Sequence, residues 1–180
     1  MKGLMKSTKT HDGICNKKNW DDHNGISNST TKYNSGSLQR SQEGTFIEHK
    51  IYGDGNCMFR AVSYILWNTE NEHRSLRTAV VHHIVDNWHE YAPFVMAEWG
   101  INCPENYLKY MKQEGVFASE LECIVATKIY GRNLSIYRRV NEYEIKRVFH
   151  NHVNDNCGTA RLLFTGRSDS GHYNVLFLGN

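Results

Sequence analysis

The order in which two periodicities follow one another constrains this chain most. Thr45-Phe46-Ile47-Glu48-His49-Lys50-Ile51-Tyr52 has the residue types of a strand and runs into the turn-forming Gly53-Asp54-Gly55-Asn56. A block with helical spacing comes next. Met58, Ala61, Val62, Ile65 and Leu66 recur on one face of a helix that starts beside Cys57, and Leu76, Val80, Ile84, Trp88 and Tyr91 describe a second helix ending before Pro93. Pro104 opens a third through Tyr107, Leu108 and Met111, with Gly115 as its stop. Ser119 and Glu122 have capping-box spacing for a fourth, whose stripe is Leu121, Ile124, Val125 and Ile129 and whose left-handed end is Gly131. After these, Leu134 to Val140, Tyr143 to Phe149, Arg161 to Phe164 and Tyr173 to Leu178 read as strands. A strand, then helices, then strands predicts an α+β fold with helices packed on a small, largely antiparallel sheet.

Residues 1–44 stand apart, being dominated by Lys, Asn, Ser, Thr, Gly and Asp with few large apolar side chains to offset the entropy of ordering them. A polar, disordered tail is expected there, and one folded domain over 45–180. The basic positions Lys2, Lys6, Lys9, Lys17 and Lys18 need no partner beyond water. With 21 basic and 19 acidic residues the net charge is +2, too small for a general nucleic-acid or membrane-surface binder. No apolar run reaches the length of a signal-peptide core or the roughly 18 residues of a membrane span. Five cysteines, Cys15, Cys57, Cys103, Cys123 and Cys157, are an odd number without a CxxC pair, which argues against a disulfide framework and fits a reducing compartment. The histidines His73, His82, His83 and His89 lack the companion ligands of a zinc site, so no metal is expected. A soluble, cytoplasmic monomer is the expectation.

Chemistry concentrates at two points. A cysteine attacks as its thiolate, and the unpaired N–H groups at a helix start favour negative charge, so Cys57 is expected to have a lowered pKa at an exposed helix N-terminus. The Gly53-Asp54-Gly55-Asn56 loop before it is able to turn backbone N–H groups toward one point, as an oxyanion hole requires. Such a thiol needs a base, and His172 stands between Gly171 and the strand at Tyr173. Asn174, two residues on, shares a strand face with it and can accept a hydrogen bond from the imidazole. Each feature alone is also an ordinary structural one: free cysteines are often buried, lone histidines are usually structural, and Asp-Gly-Asn is a common turn.

The segment Tyr52-Gly53-Asp54-Gly55-Asn56-Cys57-Met58-Phe59-Arg60-Ala61-Val62 closely resembles the nucleophile motif of the ovarian-tumour (OTU) family of cysteine proteases. Leu76-Arg77, Tyr107-Leu108, Gly115-Val116-Phe117-Ala118-Ser119-Glu120-Leu121-Glu122 and Asn133-Leu134-Ser135-Ile136-Tyr137 are similar to its middle, and Gly171-His172-Tyr173-Asn174 to its closing histidine motif. Met58 stands where the family often has Leu and Phe117 where Trp is frequent, both keeping apolar bulk. The resemblance spans about residues 45–180 in the right order. It implies a papain-like fold, Cys57 as nucleophile, His172 as base, Asn174 as its orienting partner, and an oxyanion hole shaped by Asp54 with the backbone of Gly55, Asn56 and Cys57. It also implies a deubiquitinating thiol hydrolase that cleaves isopeptide bonds at the C-terminus of ubiquitin or a ubiquitin-like modifier, acting on ubiquitinated proteins through a Cys57 thioester.

No cofactor is called for. Two alternatives remain open on sequence alone, a catalytically inactive OTU-like module that only binds ubiquitin and a papain-like thiol protease acting on another protein. The family that the chain resembles carries Asp or Asn at the place of Asn174, and Asn174→Asp is expected to be tolerated because the carboxylate accepts the same hydrogen bond and favours the imidazolium.

Overall fold

A computed structural model describes residues 37–168 and 170–179, so residues 1–36 of the expected tail lie outside the described residues. The end of that tail is ordered. Leu38–Ser41 forms strand β1, an antiparallel partner of β2 (Gly44–His49), and the boundary expected between 44 and 45 therefore falls inside a hairpin. Gly44, with φ at 133°, supplies the turn backbone that other residues rarely adopt. Leu38-Gln39-Arg40-Ser41 has one apolar side chain and no clear alternation, so pairing with β2, not local propensity, makes it a strand.

Five helices follow: α1 (Cys57–Trp67), α2 (His73–Asp86), α3 (Trp88–Trp99), α4 (Pro104–Met111) and α5 (Glu120–Ile129). The single second helix expected from the Leu76 to Tyr91 pattern is two. Asn87 ends α2 with both its backbone N–H and its side-chain amide donating to the His83 carbonyl, at 3.1 and 2.8 Å. Pro93, expected as a terminator, lies inside α3. The hydrogen bond it cannot make would go to the carbonyl of His89, and both residues are exposed, where water can serve that carbonyl. At α5 the capping box forms as expected, the Ser119 N–H donating to Glu122 at 2.6 Å, and Gly131 follows with φ at 60°.

The remaining strands are β3 (Asn133–Arg139), β4 (Ile145–Asn151), β5 (Thr159–Thr165) and β6 (His172–Leu178). The sheet order is β1-β2-β6-β5-β3-β4, antiparallel throughout except for the parallel pair β3 and β5. It curls until the Arg40 N–H donates to the Tyr143 carbonyl at 2.8 Å, which brings the β1 edge to the β3–β4 turn.

Curling creates two apolar cores on opposite faces of the sheet. The larger, between sheet and helices, holds Met58, Phe59, Val62, Leu76, Ile84, Tyr107 and Val125 against Leu134, Leu162, Tyr173 and Val175. The smaller, inside the curl, holds Phe46, Tyr137, Ile145, Leu163 and Leu176. Strand alternation divides β6 between them: Tyr173 and Val175 face the helices, whereas Leu176 and the buried Asn174 face the curl. The α+β architecture expected from sequence is therefore present, with a sheet that is largely antiparallel.

Candidate active site

The cysteine end of the site is built on the loop Gly53 to Asn56. Asp54 takes the Arg60 guanidinium at 2.6 Å and the Asn56 N–H at 3.0 Å, and Arg60 above all holds its carboxyl well below the usual range. Gly55 has φ at 82°, and a Cβ there would lie 2.1 Å from the carbonyl oxygen of Gly115, so only glycine fits. Asn56 then points its side chain inward. Its Oδ1 accepts the Gly115 N–H at 3.0 Å and the Arg77 guanidinium at 2.8 Å. Arg77 also donates to the carbonyls of Met111 at 3.1 Å and Val116 at 2.8 Å, with the Phe59 ring over its charge. Loop, α2 and the segment after α4 thus form one clamp, and α1 begins from it.

Cys57 is the first residue of α1 and only 2% exposed, which corrects the expectation of an exposed helix start. Its thiol pKa is pushed up, not down. Burial is the main cause and the charge of Asp54 adds to it, while the N–H groups of Tyr173, Met58 and Cys57 itself point at the sulfur and oppose it. The helix start supplies the expected donors, but desolvation outweighs them. The Asn56 N–H, expected among the oxyanion donors, is taken by Asp54.

The Tyr173 N–H that reaches the sulfur belongs to β6, one residue from His172, so the two ends of the site meet here. A Cβ on Gly53 would sit 3.7 Å from His172 Nδ1, placing that nitrogen against the cysteine loop. On the other side of the ring, His172 Nε2 lies 3.0 Å from Asn174 Oδ1. The tautomer follows from the partners of Asn174. Its Oδ1 also accepts the Ile51 N–H at 3.0 Å and its Nδ2 donates to the Glu48 carboxylate at 2.7 Å, so the amide fits one way only. Nε2 must then carry a proton, and in the neutral ring Nδ1 is the free acceptor. Gly171 permits this placement, since a Cβ there would overlap the Phe164 ring at 2.1 Å.

Sequence reasoning missed Glu48. The residue is 1% exposed, yet its pKa is lowered to about 2, because hydrogen bonds from Lys50, Ser37 and Arg139 outweigh the burial that alone would raise it. The distances are 2.6 Å to Lys50 and 2.8 Å to Ser37, and Arg139 completes the set. The only sequence signal was alternation, which puts Glu48 on the same face of β2 as Phe46; Ile47 and His49 on the other face made it ambiguous. An ionised carboxylate behind Asn174 also removes the basis for expecting Asn174→Asp to be harmless. Among the described residues no cluster of three or more His, Cys, Asp or Glu side chains is placed to hold a metal.

A thiol at a helix start, an imidazole with its acceptor nitrogen toward the thiol's loop, and an amide fixing that imidazole are the parts of a Cys-His-Asn hydrolase. Known proteins resemble the chain across the stretch that holds these parts. The sequence pattern of the OTU-like cysteine proteases matches residues 52–173. The OVARIAN TUMOR DOMAIN-containing deubiquitinating enzyme 7 of Arabidopsis thaliana is 29% identical over 125 residues, 69% of this chain but 31% of that protein. The chain thus spans about a third of that curated relative's length. Among solved structures, the OTU domain of OTUD1 superposes with a TM-score of 0.62 at 22% identity, covering 73% of this chain and 85% of that one. The Hazara virus OTU bound to ubiquitin gives 0.56 at 19% identity, covering 75% and 82%. With the pattern matched across two-thirds of its length, from the cysteine loop to the histidine strand, the chain belongs to the OTU-like cysteine protease family.

Proposed function

We propose that this chain is a deubiquitinating thiol hydrolase, cleaving the isopeptide bond at the C-terminus of ubiquitin or a ubiquitin-like modifier on a conjugated protein. The observation that carries the reading is the hydrogen bond from His172 Nε2 to Asn174, which leaves Nδ1 as the acceptor on the cysteine side. Because the resting thiol is held neutral by burial, His172 acts as a general base during attack, not as the partner of a preformed thiolate. As the Cys57 sulfur bonds to the modifier's terminal carbonyl carbon, its proton passes to Nδ1. The imidazolium returns that proton to the departing lysine amine as the C–N bond breaks. Water, deprotonated by the same nitrogen, then splits the thioester and restores the thiol. The N–H groups of Gly55 and Cys57 are the proposed donors to the oxyanion. Thiol chemistry of this kind needs no cofactor, and on this reading the enzyme works as a cytoplasmic monomer.

The names of the relatives support the substrate: one is a deubiquitinating enzyme and one solved neighbour holds ubiquitin. The test is release of fluorophore from ubiquitin carrying a C-terminal 7-amino-4-methylcoumarin amide, with Cys57→Ala as control. Turnover by the wild type and none by the variant is the expected result. A wild type that binds ubiquitin without turnover would leave a binding module instead.

A further inference from the structure

We propose that Glu48 is a positioning residue of the active site, supplying through the Asn174 amide the negative charge that a carboxylate third member would otherwise bring to His172. This rests on the hydrolase reading above. Burying a carboxylate is costly unless every lone pair finds a donor, and Glu48 has four: Ser37, Lys50, Arg139 and the Asn174 amide. Three of the four suffice to explain a buried structural carboxylate. The fourth runs to the residue whose amide oxygen holds the imidazole.

Strand pairing makes that contact a built one. Glu48 stands opposite Leu176 in the β2–β6 ladder, so Asn174, two residues away on the same face, is its diagonal neighbour. Asn174 is itself buried, 3% exposed, and its Oδ1 is shared between the Ile51 N–H and His172. A neutral amide orients an imidazole but does little for its cation. With an ionised carboxylate 2.7 Å behind Nδ2, the amide is polarised so that Oδ1 becomes a better acceptor just when the ring gains a proton. The other charges facing this chain are Lys50 and Arg139 on the far side of Glu48, and Asp54, paired with Arg60, in the cysteine loop.

A charge swap tests the proposal on the full chain, with Glu48→Gln, Asn174→Asp and the double variant assayed on the coumarin amide of ubiquitin. Asn174→Asp alone sets two carboxylates against each other, and we expect kcat to fall by about tenfold or more with KM little changed. Glu48→Gln should lose a comparable factor. The double variant moves the charge one residue forward, with the new side-chain amide at position 48 as donor, and should recover to within about fivefold of the wild type. In a Cys57→Ala background, without substrate, 15N spectra of His172 should show the Nε2-protonated tautomer in the wild type, a mixture in Glu48→Gln, and recovery in the swap. Asn174→Asp at the wild-type rate, or a double variant no better than the worse single with the tautomer unmoved in all, would overturn the proposal. Should Glu48→Gln fail to fold, the Asn174→Asp rate and spectrum decide alone. If the wild type leaves the ubiquitin substrate uncut, the hydrolase reading falls and the spectra still judge Glu48.

Discussion

Cys57 on α1 and His172 on β6 are mounted in parallel ways. Cys57 follows Asn56, whose buried amide oxygen is held by the cation of Arg77; His172 is held by Asn174, whose buried amide nitrogen is held by the anion of Glu48. The surroundings of the two charges differ. Arg77 spends its donors on neutral acceptors, the carbonyls of Met111 and Val116 and the amide of Asn56, and burial pushes its pKa down. Glu48 is instead an anion paired with two cations on its far side, with its remaining contact to the Asn174 amide. The cysteine side therefore uses its charge to fix backbone, tying loop, α2 and the post-α4 segment together. The histidine side keeps a carboxylate within one amide of a ring that becomes a cation in the proposed mechanism. Geometry is the product of the first device and charge complementarity of the second.

Removing the proposed reactive groups themselves should give the largest effects. His172→Ala should slow acylation, measured in single turnovers, by roughly a thousandfold or more, against roughly ten- to a thousandfold for Asn174→Ala, because the amide orients the ring but moves no proton. Equal losses would mean that Asn174 does more than orient. An unchanged Asn174→Ala rate would break the histidine half of the comparison.

On the cysteine side, Arg77→Met keeps the bulk of the side chain but leaves the Met111 and Val116 carbonyls without their donor. We expect roughly 3–5 kcal/mol of lost stability in denaturant unfolding, with slower hydrolysis in whatever remains folded. If stability fell but the rate of the folded fraction did not, the clamp would be scaffold alone.

Acid should weaken both sides, because Arg60 holds the Asp54 carboxyl low on the cysteine side as the donors to Glu48 do on the histidine side, and Glu48→Gln isolates the second contribution. Glu48 has a folded pKa of about 2 against an ordinary 4.5, so its contribution is fully present above pH 4.5 and is lost as pH falls through 2. The shift corresponds to stability on the order of 3 kcal/mol. Thermal melts between those pH values should show this loss in the wild type, and Glu48→Gln should flatten that part of the profile. A profile of the same slope in Glu48→Gln would assign acid lability to other carboxylates.

Much of this was readable from local pattern. Cys57 at the start of α1, the Ser119–Glu122 box on α5, and His172 with Asn174 on one face of β6 are relations among neighbours in sequence, which spacing encodes. What escaped depends on distant contacts. The separation of 126 positions between Glu48 and Asn174 closes only when the curl is formed, and Arg77 meets Asn56 only once the helices pack. The sign of the Cys57 shift was missed for the same reason: a helix start is local, while the burial that overrides it comes from the whole fold. Strand β1 was missed because its register is set by β2, and the break at Asn87 because a side-chain amide, not the nearby proline, ends the helix.

The smallest effect separates the two cations on Glu48. Lys50 is 68% exposed at its side chain, and Arg139 31%. A solvated ammonium on a flexible stem is largely replaceable by water, and exposed pairs of this kind contribute about 1 kcal/mol or less. The guanidinium of Arg139 reaches Glu48 from β3, two strands beyond β6 in sheet order, so it also helps hold the curl closed. Lys50→Met should therefore shift stability by less than about 1 kcal/mol, an effect fading further in high salt, and leave hydrolysis nearly unchanged. Arg139→Met should cost more, and its penalty should persist in salt because the contact is less accessible to counterions. Denaturant midpoints of the two variants at low and high ionic strength read the difference directly. If Lys50→Met proved the costlier, Glu48 would owe its low pKa to the pair nearest solvent, and the buried anion would be tuned from the surface.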